Sequence, residues 1–141
     1  MAAFKTVPAP DIHQKICHLV EVLEFTYIDP QRIHCIRSQG STSQAYSRIW
    51  ELPRVWQEAL AVPAQYIIEV LVEHFDKEIP EEQIKILIHE LLHIPKTFSG
   101  ALRNHRGQGE PINDRTVSRY YQTYRTKMEP EVPVQLPLEW L

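Results

Sequence analysis

The sequence predicts an α+β fold, a small set of short strands with helices on either side, and three observations lead there. Two segments, from Asp11 to Phe25 and from Asp114 to about Lys127, carry apolar residues at helical spacing. Between them, "IHCIR", "YSRIWE" and "YIIEVLVEHF" are short runs rich in β-branched and aromatic residues. The segment from Pro80 to about Ile94 reads as a further helix, opened by a proline and closed by Pro95.

Taken in order, Ile12, Ile16, Leu19, Val20 and Leu23 form one apolar stripe of the first helix, with Asp11 as its N-cap. Asp29-Pro30 then breaks the chain. Ile33 to Arg37 reads as a strand, and Ser38 to Ser43, around Gly40, as a loop. A second strand covers Tyr46 to Glu51, and Pro53 opens a short helix through Leu60. Tyr66 to Phe75 is read as a strand on the strength of Ile67, Ile68, Val70 and Val72. In the helix that starts at Pro80, Glu81 and Glu82 complement the positive end of the dipole. Lys96 to Gly109 reads as mostly loop. The last helix aligns Val117, Tyr120, Tyr121 and Tyr124 on one side. Residues 1–128 are thus expected to form one domain, and 129–141 a Pro-rich extended tail pinned by Leu136, Leu138 and Trp140. Trp50 and Trp56 are expected to fill the core.

With 141 residues, 43% of them apolar and 23% charged, the chain is long enough to bury a core without disulfides. Cys17 and Cys35, in no C-x-x-C pattern, are expected as small buried thiols in a reducing compartment. A net charge of −3 gives no general attraction to nucleic acid or to anionic membrane. The stretch from Ala101 to Lys127 leans basic through Arg103, Arg106, Arg115, Arg119, Arg125 and Lys127, and is read as a solvated helix face. No stretch approaches the roughly 18–20 apolar residues of a membrane span, and the first residues lack a signal-peptide pattern. A cytoplasmic protein is expected.

The chemistry concentrates in "IHELLHIP", Ile88 to Pro95. At about 100° per residue, Ile84, Ile88 and Leu91 fall together, while His89, His93 and Glu90 fall on the opposite side. Two imidazoles at i and i+4 project from adjacent turns, so both reach one ion. Glu90, offset from them, is placed to act on water instead of ligating. This is the H-E-x-x-H arrangement of zinc peptidases, in which zinc lowers the pKa of water toward about 7 and the carboxylate serves as general base. A catalytic zinc takes a third protein ligand. The chain after His93 breaks at Pro95, can turn at Gly100, and brings His105 twelve positions downstream. Glu110 and Asp114 are also within reach as the third ligand.

The segments "CIRSQGSTSQAYSRIWELPRVWQ", "IIEVLVEHFDK", "IKILIHELLHIPKTFSGALRNHR" and "INDRTVSRYYQTY" together resemble a family of small predicted metallopeptidases of archaea, bacteria and phages. The resemblance spans roughly Ile12 to Tyr124, and its specific part is "HELLHIPKTFSGALRNH". It implies a zincin-like fold, similar to SprT-like minimal zinc peptidases, with a small mixed sheet packed on the active-site helix and N- and C-terminal helices flanking it. It further implies Zn2+ bound by His89, His93 and His105, with Glu90 as catalytic base. The spacing to the third histidine is longer than in metzincins.

Weaker candidates surround this centre. Arg106, Tyr120, Tyr121 and Tyr124 could stabilise an oxyanion, although packing or solvation is the simpler role for each. His13, His18, His34 and His74 show no ligand spacing. Arg37, Ser38, Ser41 and Ser43 form no phosphate-binding pattern. The reading is a zinc peptidase acting on a peptide or protein that lies as an extended strand along a sheet edge. One rival is another metal-dependent hydrolase, such as a three-histidine endoribonuclease, against which Glu90 argues. The other is a non-catalytic, metal-stabilised peptide-binding module.

Overall fold

The computed structural model describes residues 3–107 and 109–129. Four strands, β1 (Lys5–Pro8), β2 (Ile33–Gln39), β3 (Ser47–Glu51) and β4 (Tyr66–Leu71), form one mixed sheet in the order β1-β2-β4-β3. β2 and β4 run parallel in the centre, while β1 and β3 pair antiparallel at the two edges. The helices are α1 (Pro10–Val22), α2 (Arg54–Leu60), α3 (Val72–Phe75), α4 (Pro80–Leu92) and α5 (Asp114–Met128). The architecture is therefore α+β, as composition and pattern predict. No helix among the described residues is long and apolar enough to cross a membrane.

Register explains where the core sits. Ile33 pairs with Tyr66 and Cys35 with Ile68, so these residues and Val70 share one face of the sheet. Against that face pack Ile12, Ile16 and Leu19 of α1, Leu87, Ile88 and Leu91 of α4, and Val117 of α5. Each such side chain contributes about 1.5–3 kcal/mol on burial. α4 is held by its Leu87-Ile88-Leu91 stripe, and this leaves the side carrying His89 turned outward at the edge of the sheet.

Several expectations need correction. β1 was not anticipated; its residues are exposed and two prolines flank or close it, so no alternating pattern marks it. Ala9, not Asp11, caps α1, and it does so without a side-chain bond. The Asp11 carboxylate instead takes both arms of the Arg37 guanidinium, at 2.5 and 2.7 Å. α1 also ends earlier than Phe25, because Glu24 adopts a left-handed φ of 57°. β2 continues through Ser38 to Gln39, where a loop was expected. The strand expected from Tyr66 to Phe75 stops at Leu71, and Val72–Phe75 turns into a short helix that buries Phe75. Trp50 and Trp56 do not fill the core: they are 49% and 55% exposed. Cys17 and Cys35 are unpaired, and burial pushes the Cys35 thiol up to about 12. The tail anchors Leu136, Leu138 and Trp140 lie outside the described residues.

α5 starts at a reciprocal cap. The Asn113 side chain accepts from Thr116 N at 3.0 Å, and Asn113 N donates to Thr116 Oγ1 at 3.0 Å. The cap satisfies a first-turn amide that would otherwise lack a partner. Asn113→Ala should lower stability by about 1 kcal/mol. Urea denaturation reads this directly, and an unchanged midpoint would refute the contribution of the cap.

Candidate metal centre

The last turn of α4 carries His89 and Glu90, and His93 is its C-cap. Four residues apart, the two imidazoles stand on adjacent turns. His105 arrives from the loop between α4 and α5. His89 Nε2 lies 3.1 Å from His105 Nε2 and 3.2 Å from His93 Nε2. The three ring centroids are 4.7–5.1 Å apart. Among the described residues, these three histidines are the group of His, Cys, Asp and Glu side chains whose donor atoms converge closely enough to hold one ion.

The triangle makes poor sense as hydrogen bonding. His93 Nδ1 donates to the Arg103 carbonyl at 2.6 Å, so in the neutral ring its Nε2 carries a lone pair. His89 Nε2 then faces two imidazole nitrogens and can donate to one at most. A cation resolves this frustration, since all three lone pairs turn inward. Ligands about 2.0–2.1 Å from a tetrahedral zinc stand about 3.3–3.4 Å from one another, close to the observed separations. The protonation preference agrees. Burial, reinforced by the neighbouring His93 and His105, lowers His89 to about 4, with Asp114 opposing. Burial also lowers His93, against the bond to Arg103. Both are neutral, ligand-ready bases at pH 7. The donor set therefore fits a divalent ion that prefers imidazole.

Glu90 sits beside them, 5% exposed. Its Oε2 is buried without a hydrogen-bond partner. Burial raises its carboxyl to about 7, and the Ser47 hydroxyl works weakly the other way. Two cavities, of about 460 and 530 Å³, share Ser47, His89 and Glu90 in their walls. Tyr46, Glu82, Lys85 and Asp114 line the first, and Ile49, Trp50, Leu102 and Asn104 the second. Together they make a groove that passes the histidines along β3.

The loop that returns His105 is held from several sides. Arg103 N donates to His93 O at 2.7 Å, and the Arg103 guanidinium donates to Leu92 O at the negative end of α4. The same guanidinium also reaches Glu110 O. Ile112 N donates to His105 O at 2.9 Å. Further back, the buried Tyr66 hydroxyl accepts from Gly100 N at 2.9 Å and donates to Ala101 O at 2.8 Å. Gly100 has φ 93°, and a methyl there would collide with Gln57 Nε2. The Gln57 amide is the end of a flexible side chain and can swing aside, so it is the left-handed backbone that calls for glycine here. The Ser47, Tyr66 and Arg103 contributions escape sequence reasoning; for Arg103, a cation soon after a helix C-terminus was the available signal.

The remaining candidates are placed elsewhere or differently. The Glu110 carboxylate pairs with Arg119. Asp114 lines the first cavity but stays outside the ligand triangle. Arg106 is exposed on the loop and lines neither cavity. Tyr120 packs on Phe25, Tyr121 lies beneath Lys85, and Tyr124 bonds to His18 at 2.9 Å. His13 and His74 bond to backbone carbonyls and His34 to Gln65.

Two outcomes follow from this geometry. Gly100→Ala should weaken divalent-metal affinity by about tenfold or more, because the loop must shift where His105 depends on it; titration with zinc against a competing chelator measures this. Glu90→Gln should stabilise the metal-free protein at pH 8. The folded-state value of about 7 lies above the ordinary 4.5, so ionisation opposes folding, with no effect below 4.5 and a full one above 7. The gain at pH 8 should be of the order of 2–3 kcal/mol and should shrink markedly at pH 5. Equal gains at the two pH values, from guanidinium denaturation, would contradict the buried charge.

No curated protein and no solved structure matches the chain. One family does, over residues 4–115, a span that takes in the whole sheet, α4, all three histidines and the start of α5. On that match the chain belongs to the family described as "Putative phage metallopeptidase".

Proposed function

We propose that the protein is a zinc-dependent peptidase of zincin-like design, working in the cytoplasm on peptide or protein substrates. The observation that carries this reading is the convergence of three imidazole nitrogens beside a buried glutamate with an unpartnered oxygen. His89, His93 and His105 would hold the ion. When bound, zinc supplies Lewis acidity, polarising a carbonyl and making water a nucleophile near neutral pH.

The other roles belong to the chain. The bond from His93 Nδ1 to the Arg103 carbonyl fixes the tautomer and orientation of that ring. Glu90 takes the proton of the attacking water at a carboxylate oxygen and delivers it to the leaving amine. Burial lifts its proton affinity into the neutral range, while a nearby dication pulls it back. The balance leaves a group able to accept and return a proton. β3 is an edge strand, and no other described strand pairs with its outer side. An extended peptide added there gains main-chain hydrogen bonds and runs along the groove past Glu90 and the histidines.

The test combines metal analysis with activity. Protein purified without added metal should carry about one zinc per chain, and His93→Ala should lose it. His105→Ala should weaken zinc binding at least tenfold, whereas Glu110→Ala should change it little. Glu90→Gln should keep its zinc and lose at least 100-fold in casein cleavage. Cleavage near wild type in that variant would reject Glu90 as the base. Chelator-sensitive cleavage of single-stranded RNA, with casein untouched, would move the reading to a nuclease.

A further inference from the structure

Trp50 is an unusual residue to leave in water. It lies on the edge strand β3, 49% exposed, and lines the 530 Å³ cavity that also contains His89, Glu90, His93 and His105. Its indole is nonetheless held in place. Nε1 donates at 2.9 Å to Oε1 of Glu69, a β4 side chain only 4% exposed. Glu69 is cross-strand from Arg48, whose guanidinium lies 3.6 Å from the other carboxylate oxygen. Arg48 also donates to Ser41 Oγ at 3.2 Å and stands 5.8 Å from the Trp50 ring centroid. A buried glutamate, balanced by one arginine, thus anchors the polar end of a tryptophan whose apolar surface remains open.

We infer that Trp50 is the floor of a specificity subsite, which takes a large apolar or aromatic side chain of the peptide. The inference rests on the peptide-binding reading of the groove. Its logic is that of cross-strand pairing. A peptide laid along β3 turns alternate side chains to the two faces of the sheet, and those on the Trp50 face meet an aromatic ring as neighbour. Leu102 lines the same cavity, while Ile49, next to Trp50 in the strand, turns to the core face and packs there. Aromatic side chains prefer offset or edge contacts with such a ring, and holding the indole in advance avoids ordering it on binding. Arg48 is charge-balanced by Glu69, so the subsite offers no strong preference for an acidic side chain.

Binding can be read without turnover, using zinc-loaded Glu90→Gln protein. The probes are fluorescein-labelled decapeptides of Ala, Ser and Thr, with a single Phe, Leu or Ala moved through each position. At one register position Phe and Leu should bind about tenfold tighter than Ala, equivalent to about 1.4 kcal/mol. Adding Trp50→Phe should keep most of that preference. Adding Trp50→Ala or, to preserve strand propensity, Trp50→Thr should reduce it to within about twofold, with zinc content unchanged. Absence of any positional preference, a preference that survives both Trp50→Ala and Trp50→Thr, or no binding of any peptide would each overturn the subsite. Trp50-dependent binding without cleavage by the zinc-loaded wild type would refute the peptidase and leave the subsite standing. Cleavage without preference would do the reverse.

Discussion

The hydrogen bond from His93 Nδ1 to the carbonyl of Arg103 joins the end of a core helix to the loop that follows it. The main chain of Arg103 also donates back to His93, so the pair exchanges two bonds across ten residues of loop. Around this pairing the loop closes, and His105 follows two residues later in the position that completes the triangle. The tautomer of His93 and the convergence of the nitrogens depend on it, while Glu110 is engaged separately, its carbonyl by the Arg103 guanidinium and its carboxylate by Arg119. α4 is in turn fixed by its buried stripe against the sheet. The centre is therefore rigid on one side through packing and on the other through backbone hydrogen bonds.

Local periodicity made part of this readable from the chain alone. The position of His89, Glu90 and His93 relative to the Ile84-Ile88-Leu91 stripe needs only the helical repeat. Spacing alone left the third member of the cluster as a choice among His105, Glu110 and Asp114, because a loop's path depends on contacts made far away in sequence. The decisive ones here come from Tyr66, more than thirty residues upstream, and from the carbonyl of Arg103, which any residue could have supplied. A backbone acceptor leaves no mark on a sequence.

The misread elements fail for related reasons. Val72 to Phe75 contains β-branched and aromatic residues suited to a strand, yet burial of Phe75 favours a turn of helix there. Lys5–Pro8 becomes a strand because β2 offers it an edge, not because of its own composition. Trp50 was expected inside because a large aromatic side chain is usually buried. Which strand lies at an edge is a property of the order β1-β2-β4-β3, and strand order is not written in any one segment.

That order also carries a liability. Among the described residues no strand pairs with the outer side of β3, which presents main-chain donors and acceptors beside an exposed indole, and such a surface does not distinguish one extended chain from another. What opposes sheet-to-sheet association is modest: the strand is only five residues long, and Arg48 sits in it with its guanidinium tied to Glu69. An edge of this kind accepts a second copy or a misfolded neighbour as readily as any peptide, so the same five residues also set how crowded a solution the protein tolerates.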